Sequence, residues 1–287
     1  MSIGTNYRRI PILSIGKDIY NDTRLIIRKL EELFPQPQFA SISSSKGDQK
    51  TIEFLLEHWA VDESLFKYVA ALIPTNMPLL KDPTFTKDRE QYTGTSWSKE
   101  NLEIARPQAL VEMLNAFHTL EDGFLADGRE WILSTDVPTT ADIEAVWTFM
   151  WAKVIPGALP EGFIDAKIFP KTYAWIERFD EAAKAAEKTA GKANAVKGNE
   201  AREMIEASAF AEKEGEVDSN DPIKLEKGTE VEVWPTDTGF SHKDQGKLVS
   251  LDRQEIVIEG KTEGGVVVRI HTPRHGFRIR AVAGSKI

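Results

Sequence analysis

The chain has 287 residues, 41% hydrophobic and 28% charged, with a net charge of −9 and no cysteine. That length can bury a sizeable core and divide into two or three domains. The acidic balance argues against general binding to nucleic acid or to an anionic membrane, and the lack of cysteine excludes disulfides, thiolate catalysis and cysteine-ligated zinc. No apolar run approaches the ~18 residues of a membrane span, and the N-terminus lacks the apolar core of a signal peptide, so a cytoplasmic protein is expected.

In chain order, Arg9-Ile10-Pro11-Ile12-Leu13 reads as an apolar strand around a proline. Gly16-Lys17-Asp18 supplies a tight turn and Ile19-Tyr20 a second short strand. Asp22-Thr23 then opens a helix carrying Ile26, Ile27, Leu30, Leu33 and Phe34 at helical spacing, stopped by Pro35 and Pro37. From about residue 48 to 213 the pattern is mainly helical, with Ile52, Leu55, Leu56 and Trp59, then Leu65, Phe66, Val69 and Leu72, then Leu110, Leu114, Phe117 and Leu120. Pro74, Pro78 and Pro83 predict an intervening loop of roughly 15 to 20 residues, long enough for a lid or an insertion.

Pro138-Thr139-Thr140-Ala141-Asp142-Ile143 has the form of a capping box, a Thr at the helix start answered by Asp142 three residues on. Ile143, Val146, Trp147, Met150, Trp151 and Val154 then form an apolar stripe wide enough for a central buried helix. Residues 181–214, rich in Ala, Glu and Lys, read as a solvated helix or helical linker. After Asp221-Pro222 the composition turns β-rich. Segments at Val231–Val233, Leu248–Leu251, Ile256–Ile258, Val266–Ile270 and Phe277–Ala281 predict five short strands, a small β-barrel or curled sheet, with Gly264-Gly265 as a hairpin turn.

The Ile-Pro strand, its turn and the Asp22-Thr23 helix start resemble the second half of the thioredoxin-like domain of glutathione transferases. The Thr139–Asp142 box, with Trp131-Ile132-Leu133 before it and Phe169-Pro170, Trp175, Arg178 and Phe179 after it, resembles the central-helix region of their C-terminal domain. Gly246-Lys247-Leu248-Val249 and His271-Thr272-Pro273-Arg274-His275-Gly276-Phe277 look like recurrent text of fungal glutathione-transferase-like proteins. The resemblance implies that Pro11 is cis and that the Ile10 backbone pairs with the cysteinyl backbone of glutathione. It further implies that Thr23 donates to the γ-glutamyl carboxylate and Asp22 accepts from the ammonium, where the family usually shows Glu or Gln followed by Ser. A helix N-terminus with free N–H groups suits such a carboxylate. Taken alone, without the Ile-Pro strand and the box at 139–142, Asn21, Asp22 or Thr23 reads first as a plain helix cap.

In that family the first strand, first helix and thiol-activating residue precede the proline strand, whereas ten residues precede Pro11 here. Ser2, Thr5 and Tyr7 lie where none can be carried over as the activator, so the catalytic residue is unassigned. A truncated gene model, a real loss of function, or replacement strands from elsewhere are the expected explanations, in that order. A hairpin with one helix is at best marginal alone.

The remaining candidates are weaker. His271 and His275 are four apart, but Pro273 argues against a helix that would bring both rings together, and no metal is expected. Residues 264–287 contain no acidic side chain but hold Arg269, Arg274, Arg278, Arg280 and Lys286, a solvated face, a partner for the acidic 200–216 region, or an anion site. The expected fold is α+β, mainly α: a partial thioredoxin-like unit at 1–38, an all-helical domain of the glutathione transferase C-terminal type at 39–214, and a small β-module at 215–287. The expected function is that of a glutathione transferase-like protein using glutathione on a hydrophobic electrophile, in fungal secondary metabolism or detoxification. Trp59, Phe66, Trp147 and Trp151 are the pocket candidates, each also readable as core. Neither a nucleic acid nor a membrane is an expected partner, and a homodimer is the assembly the resemblance implies. The competing expectation is a non-catalytic binding or regulatory protein that uses the β-module as its contact surface.

Overall fold

The computed structural model describes residues 3–63 and 65–282. In chain order it runs β1 (Ile12–Ile15), β2 (Asp18–Asn21), α1 (Thr23–Leu33), α2 (Gly47–Val61) and α3 (Leu65–Ala71). A single 3-10 turn (Pro78–Lys81) leads to α4 (Pro83–Thr93) and α5 (Lys99–His118), and a π-turn follows at Thr119–Phe124. Then come α6 (Thr140–Val154), α7 (Pro170–Ala190), α8 (Gly198–Ala207), and the strands β3 (Glu230–Pro235), β4 (Asp244–Leu251), β5 (Glu255–Lys261), β6 (Val267–Pro273) and β7 (Phe277–Ala281). The proline-rich stretch expected as a long loop is therefore largely helical. Pro78 and Pro83 sit at helix starts, where the missing N–H costs nothing.

The chain divides into two compact units, not three segments. One comprises residues 1–34, 91–94 and 194–287, and the other 35–90 and 95–193. In the first, all seven strands form one open sheet in the order β1-β2-β6-β5-β4-β3-β7. The expected β-module is thus not separate from the N-terminal hairpin. β1 and β2 pair antiparallel, and β2 takes β6 as a parallel neighbour in the register Asp18↔Arg269, Ile19↔Ile270, Tyr20↔His271. The periodicity of each strand is readable in the sequence, but a pairing between positions some 250 residues apart leaves no local trace there.

The sheet core is built from Tyr7, Val231, Val233, Leu248, Leu251, Ile256, Ile258, Ile270, Phe277 and Ile279. A register irregularity between Leu248 and Ser250 lets β4 bend from one neighbour to the next. Ile205 of α8 packs with Ile19 and Val268, on the same face as Ile270, and on the opposite face Leu25 and Ile26 of α1 pack with Tyr20. The α1 face expected from Ile26, Ile27, Leu30, Leu33 and Phe34 is only partly used, since Leu30, Leu33 and Phe34 are exposed. Gly16 is required at its turn. Its φ is 58°, and a Cβ there would stand 2.2 Å from the carbonyl oxygen of Ala209, the atom that accepts the Lys17 N–H at 3.0 Å.

The second unit is helical around α6. Asp142, fully buried, accepts the Thr139 N–H at 2.9 Å and its hydroxyl at 3.2 Å. It also accepts the Ile132 N–H at 3.0 Å and the Trp175 indole N–H at 2.9 Å, so the capping carboxylate ties three segments together. The buried face of α6 is Ala141, Ala145, Val146, Thr148, Phe149 and Ala152. The expected stripe is displaced, with Val154 exposed and Trp147, Met150 and Trp151 only half-buried. Alanines let the neighbouring helices approach closely, so the deepest face is not the one with the largest side chains. Phe117, Phe149, Phe169 and Trp175 fill the centre at ring separations of 5.0–6.2 Å.

Candidate functional site

The β2–α1 junction concentrates the unusual backbone and charge of the first unit. Asp22 caps α1 at φ 74°, ψ 132°, a conformation that L residues rarely adopt. Three neighbours hold it there. Oδ1 accepts the Arg24 N–H at 3.2 Å and its Nε at 3.0 Å, Oδ2 accepts the Tyr7 hydroxyl at 3.1 Å, and Arg9 Nη1 lies 3.7 Å from Oδ2. Burial alone would raise the Asp22 carboxyl, but the Arg24 charge and hydrogen bonds, with Arg9 behind them, outweigh it and hold the group below its ordinary range. Burial, then the Asp22 charge, push the Tyr7 hydroxyl far above its ordinary value.

Thr23, the first residue of α1, is exposed, and among the described residues its hydroxyl has no hydrogen-bond partner. The first-turn N–H groups of any helix lack internal acceptors, so this hydroxyl stands where an anion is favoured. Ile10 is 92% exposed and joined to Pro11 by a cis peptide bond. The Asp22 carboxylate, expected to meet a ligand ammonium, is also engaged by Tyr7, Arg9 and Arg24.

Sequence reasoning misses the residues that build this junction. Arg9 also binds Asp237 and donates to the Thr238 carbonyl at 2.6 Å. Arg24 lies over Gly276, where φ is 73° and a Cβ would stand 2.8 Å from Nη2. Phe277 packs on Tyr7 at 5.9 Å between ring centres. Gly276 and Phe277, to which the sequence alone assigns no role, floor this junction. Thr5 accepts the Tyr7 N–H and donates to Asp244, a structural position, while Ser2 lies outside the described residues.

The basic C-terminal stretch is largely neutralised. Arg269 pairs with Glu214 at 3.4 Å, as expected of the acidic 200–216 region, Arg274 with Asp221 at 3.5 Å, and Arg280 with Glu232. Lys286 lies outside the described residues. In the helical unit, Phe66 of α3 stacks on Trp151 at 5.3 Å and meets Trp147 at 5.7 Å, so three of the four pocket candidates form one half-buried aromatic group. Trp59 instead packs on Phe149 and lines a cavity of about 150 Å³ with Glu63, Leu65, Tyr68, Glu112, Asn115, Ala116 and Thr119. Among the described residues, no helix is long and apolar enough to cross a membrane.

A domain of unknown function (DUF7962) matches residues 68–188, less than half of the chain, and no curated protein matches the sequence. Among solved structures, a GST-like protein from Pseudomonas syringae superposes with a TM-score of 0.67 at 22% identity, over 98% of this chain and 84% of that one. Ure2p5 from Phanerochaete chrysosporium, cocrystallised with 1-(S-glutathionyl)-2,4-dinitrobenzene, reaches 0.41 at 21% identity over 65% of this chain and 79% of that one. The glutathione transferase URE2P8 from the same organism, with oxidised glutathione, reaches 0.38 at 19% identity over 58% and 68%. The last two fall below the level that marks a shared fold, whereas the first takes in both compact units. The chain has the fold of glutathione transferase-like proteins.

Proposed function

We propose that the protein binds glutathione at the β2–α1 junction and uses it on a hydrophobic electrophile. The observation that carries this reading is Asp22, a non-glycine residue held at φ 74° by Tyr7, Arg9 and Arg24. Such strain costs on the order of 1–3 kcal/mol and persists where the surroundings over-determine it, most often at a ligand site. Here its effect is to present the Thr23 hydroxyl at the helix N-terminus, beside the first-turn N–H groups that Asp22 does not itself take up, a set of donors suited to the γ-glutamyl carboxylate. The exposed Ile10 backbone supplies the extended edge for the cysteinyl residue. Asp22 then acts from beneath, by fixing the junction, with the ligand ammonium a secondary contact at most. Detoxification or secondary metabolism in a fungus is the proposed setting.

A second reading, binding without chemistry, is favoured by Tyr7. Its hydroxyl is buried and already donates its proton to Asp22, so it is not offered to a ligand thiolate. Two measurements separate the possibilities. A ligand that binds only the folded state at 100 times its Kd stabilises by about 2.7 kcal/mol, so millimolar glutathione should raise Tm by several degrees in either case. Conjugation of 1-chloro-2,4-dinitrobenzene above the uncatalysed rate supports the enzyme, and a Tm shift without turnover supports the binding protein. Folded protein with no shift at all contradicts both.

A further inference from the structure

His271 of β6 is 3% exposed and hydrogen-bonded on both ring nitrogens to carboxylates. Nε2 lies 3.0 Å from Asp18 Oδ1 and Nδ1 lies 2.6 Å from Glu255 Oε1. Ionised carboxylates only accept, so both nitrogens must carry protons and the ring is an imidazolium. Each carboxylate leads onward to one side of the Asp22–Thr23 junction. Asp18 is the first residue of β2, which runs directly into Asp22. Glu255 meets Lys29 of α1 at 3.2 Å. Strand and helix on either side of the junction are therefore tied to one ring.

The same cluster fixes the segment after α8. Asp18 Oδ2 accepts the N–H groups of Ala211 at 2.6 Å and Glu212 at 3.1 Å. The Glu212 carboxylate takes the Tyr20 hydroxyl at 2.6 Å and Lys29 at 3.0 Å. The groups facing the ring from each element are thus Asp18 and Tyr20 of β2, the latter with its ring centre 4.6 Å away, and Glu255 of β5. Behind them stand Lys29 of α1, Glu212, and Arg269 of β6, whose guanidinium is 4.0 Å from Asp18.

We propose that His271 is a positioning residue for the Asp22–Thr23 junction, and that loss of its proton loosens β2, the start of α1 and residues 209–212 together. Removing one N–H leaves a ring lone pair facing a buried carboxylate at hydrogen-bond distance, and the pair separates. Burial opposes the charged ring, but the two hydrogen bonds and the charges of Glu255 and Asp18 outweigh it, so the transition falls on the alkaline side of an ordinary histidine. The link to ligand affinity rests on the glutathione reading above, while the link to junction order does not.

The test follows His271 by NMR titration in the full chain, alongside amide exchange protection for residues 18–26 and 209–213. Affinity for S-methylglutathione, whose sulfur does not ionise, is measured over the same pH range. Protection should fall about tenfold or more at the His271 midpoint, since local opening is governed by the hydrogen bonds and packing that hold a segment closed. E255Q, which removes one of the two carboxylates, should move that midpoint to lower pH, and H271Q should give low protection without a pH step. Protection that stays flat through the His271 titration, or a midpoint unmoved in E255Q, overturns the proposal. If exchange follows His271 but S-methylglutathione never binds, the glutathione reading fails and the positioning role stands.

Discussion

Asp22 and Thr23 are neighbours with opposite physical duties, and substitutions should separate them. Asp22 is 8% exposed and compensates two half-buried guanidinium groups, so D22A removes the carboxylate that pairs with Arg24 and one of the two that pair with Arg9. Breaking a buried pair from one side costs about 3–5 kcal/mol, and D22A should lower stability by that order in denaturant unfolding. Thr23 is exposed and among the described residues its hydroxyl makes no internal bond, so T23A should leave stability within about 0.5 kcal/mol. A hydrogen bond to a charged ligand is worth about 1.5–3 kcal/mol, so T23A should weaken glutathione about tenfold or more. Equal losses of stability in the two variants would contradict this division. The pair Asp22-Thr23 is readable from sequence as a helix opening. Its strain is not, because that depends on Tyr7, Arg9 and the glycine at 276, which no local pattern connects.

At the scale of elements, the β2–α1 junction and the α6 start behave as two different kinds of anchor. The α6 capping box is legible because its partners lie three residues apart, the range over which sequence patterns act. What sequence does not show is that Asp142 also accepts from Ile132 and Trp175, which makes it a hub of the helical unit. D142A strands three backbone or indole N–H donors and a hydroxyl in the interior. At about 1–3 kcal/mol for each unsatisfied buried group, relaxation permitting, D142A should cost at least about 3 kcal/mol, and D142N, which keeps one acceptor, less. A D142A protein as stable as the parent would contradict the hub. The β strands are legible by composition, and their number and order along the chain match the structure. Their attachment to residues 18–21 is not, because Asp18↔Arg269 and Tyr20↔His271 are long-range pairings whose specificity lies in buried charges.

For the whole molecule, these buried charges set the pH profile. Burial raises Asp18, Asp22 and Glu255, but hydrogen bonds and nearby cations outweigh it and depress all three. Their stabilisation is present above the unfolded values of 3.8 to 4.5 and is lost as pH falls through the lower folded ones. His271 is raised, so its contribution is complete below its ordinary 6.5 and is lost as pH climbs through the folded value. Asp244 runs the other way. Burial, against bonds from Asn6, Thr5 and Asn21, pushes it up to about 6, so stability declines as pH rises from its ordinary 3.8 to that value. Tm should therefore drop on the acid side below about pH 4, slope gently to pH 6, and drop again on the alkaline side of 6.5. A Tm that rises steadily from pH 4 to 9 would show that the buried cluster does not carry the charges assigned to it. The most direct test of the central claim is an amide NMR titration with glutathione. The account predicts saturable shifts centred on Ile10, Thr23, Arg24 and Leu25, and their loss in T23A. Shifts centred elsewhere, or none at millimolar ligand, would contradict it.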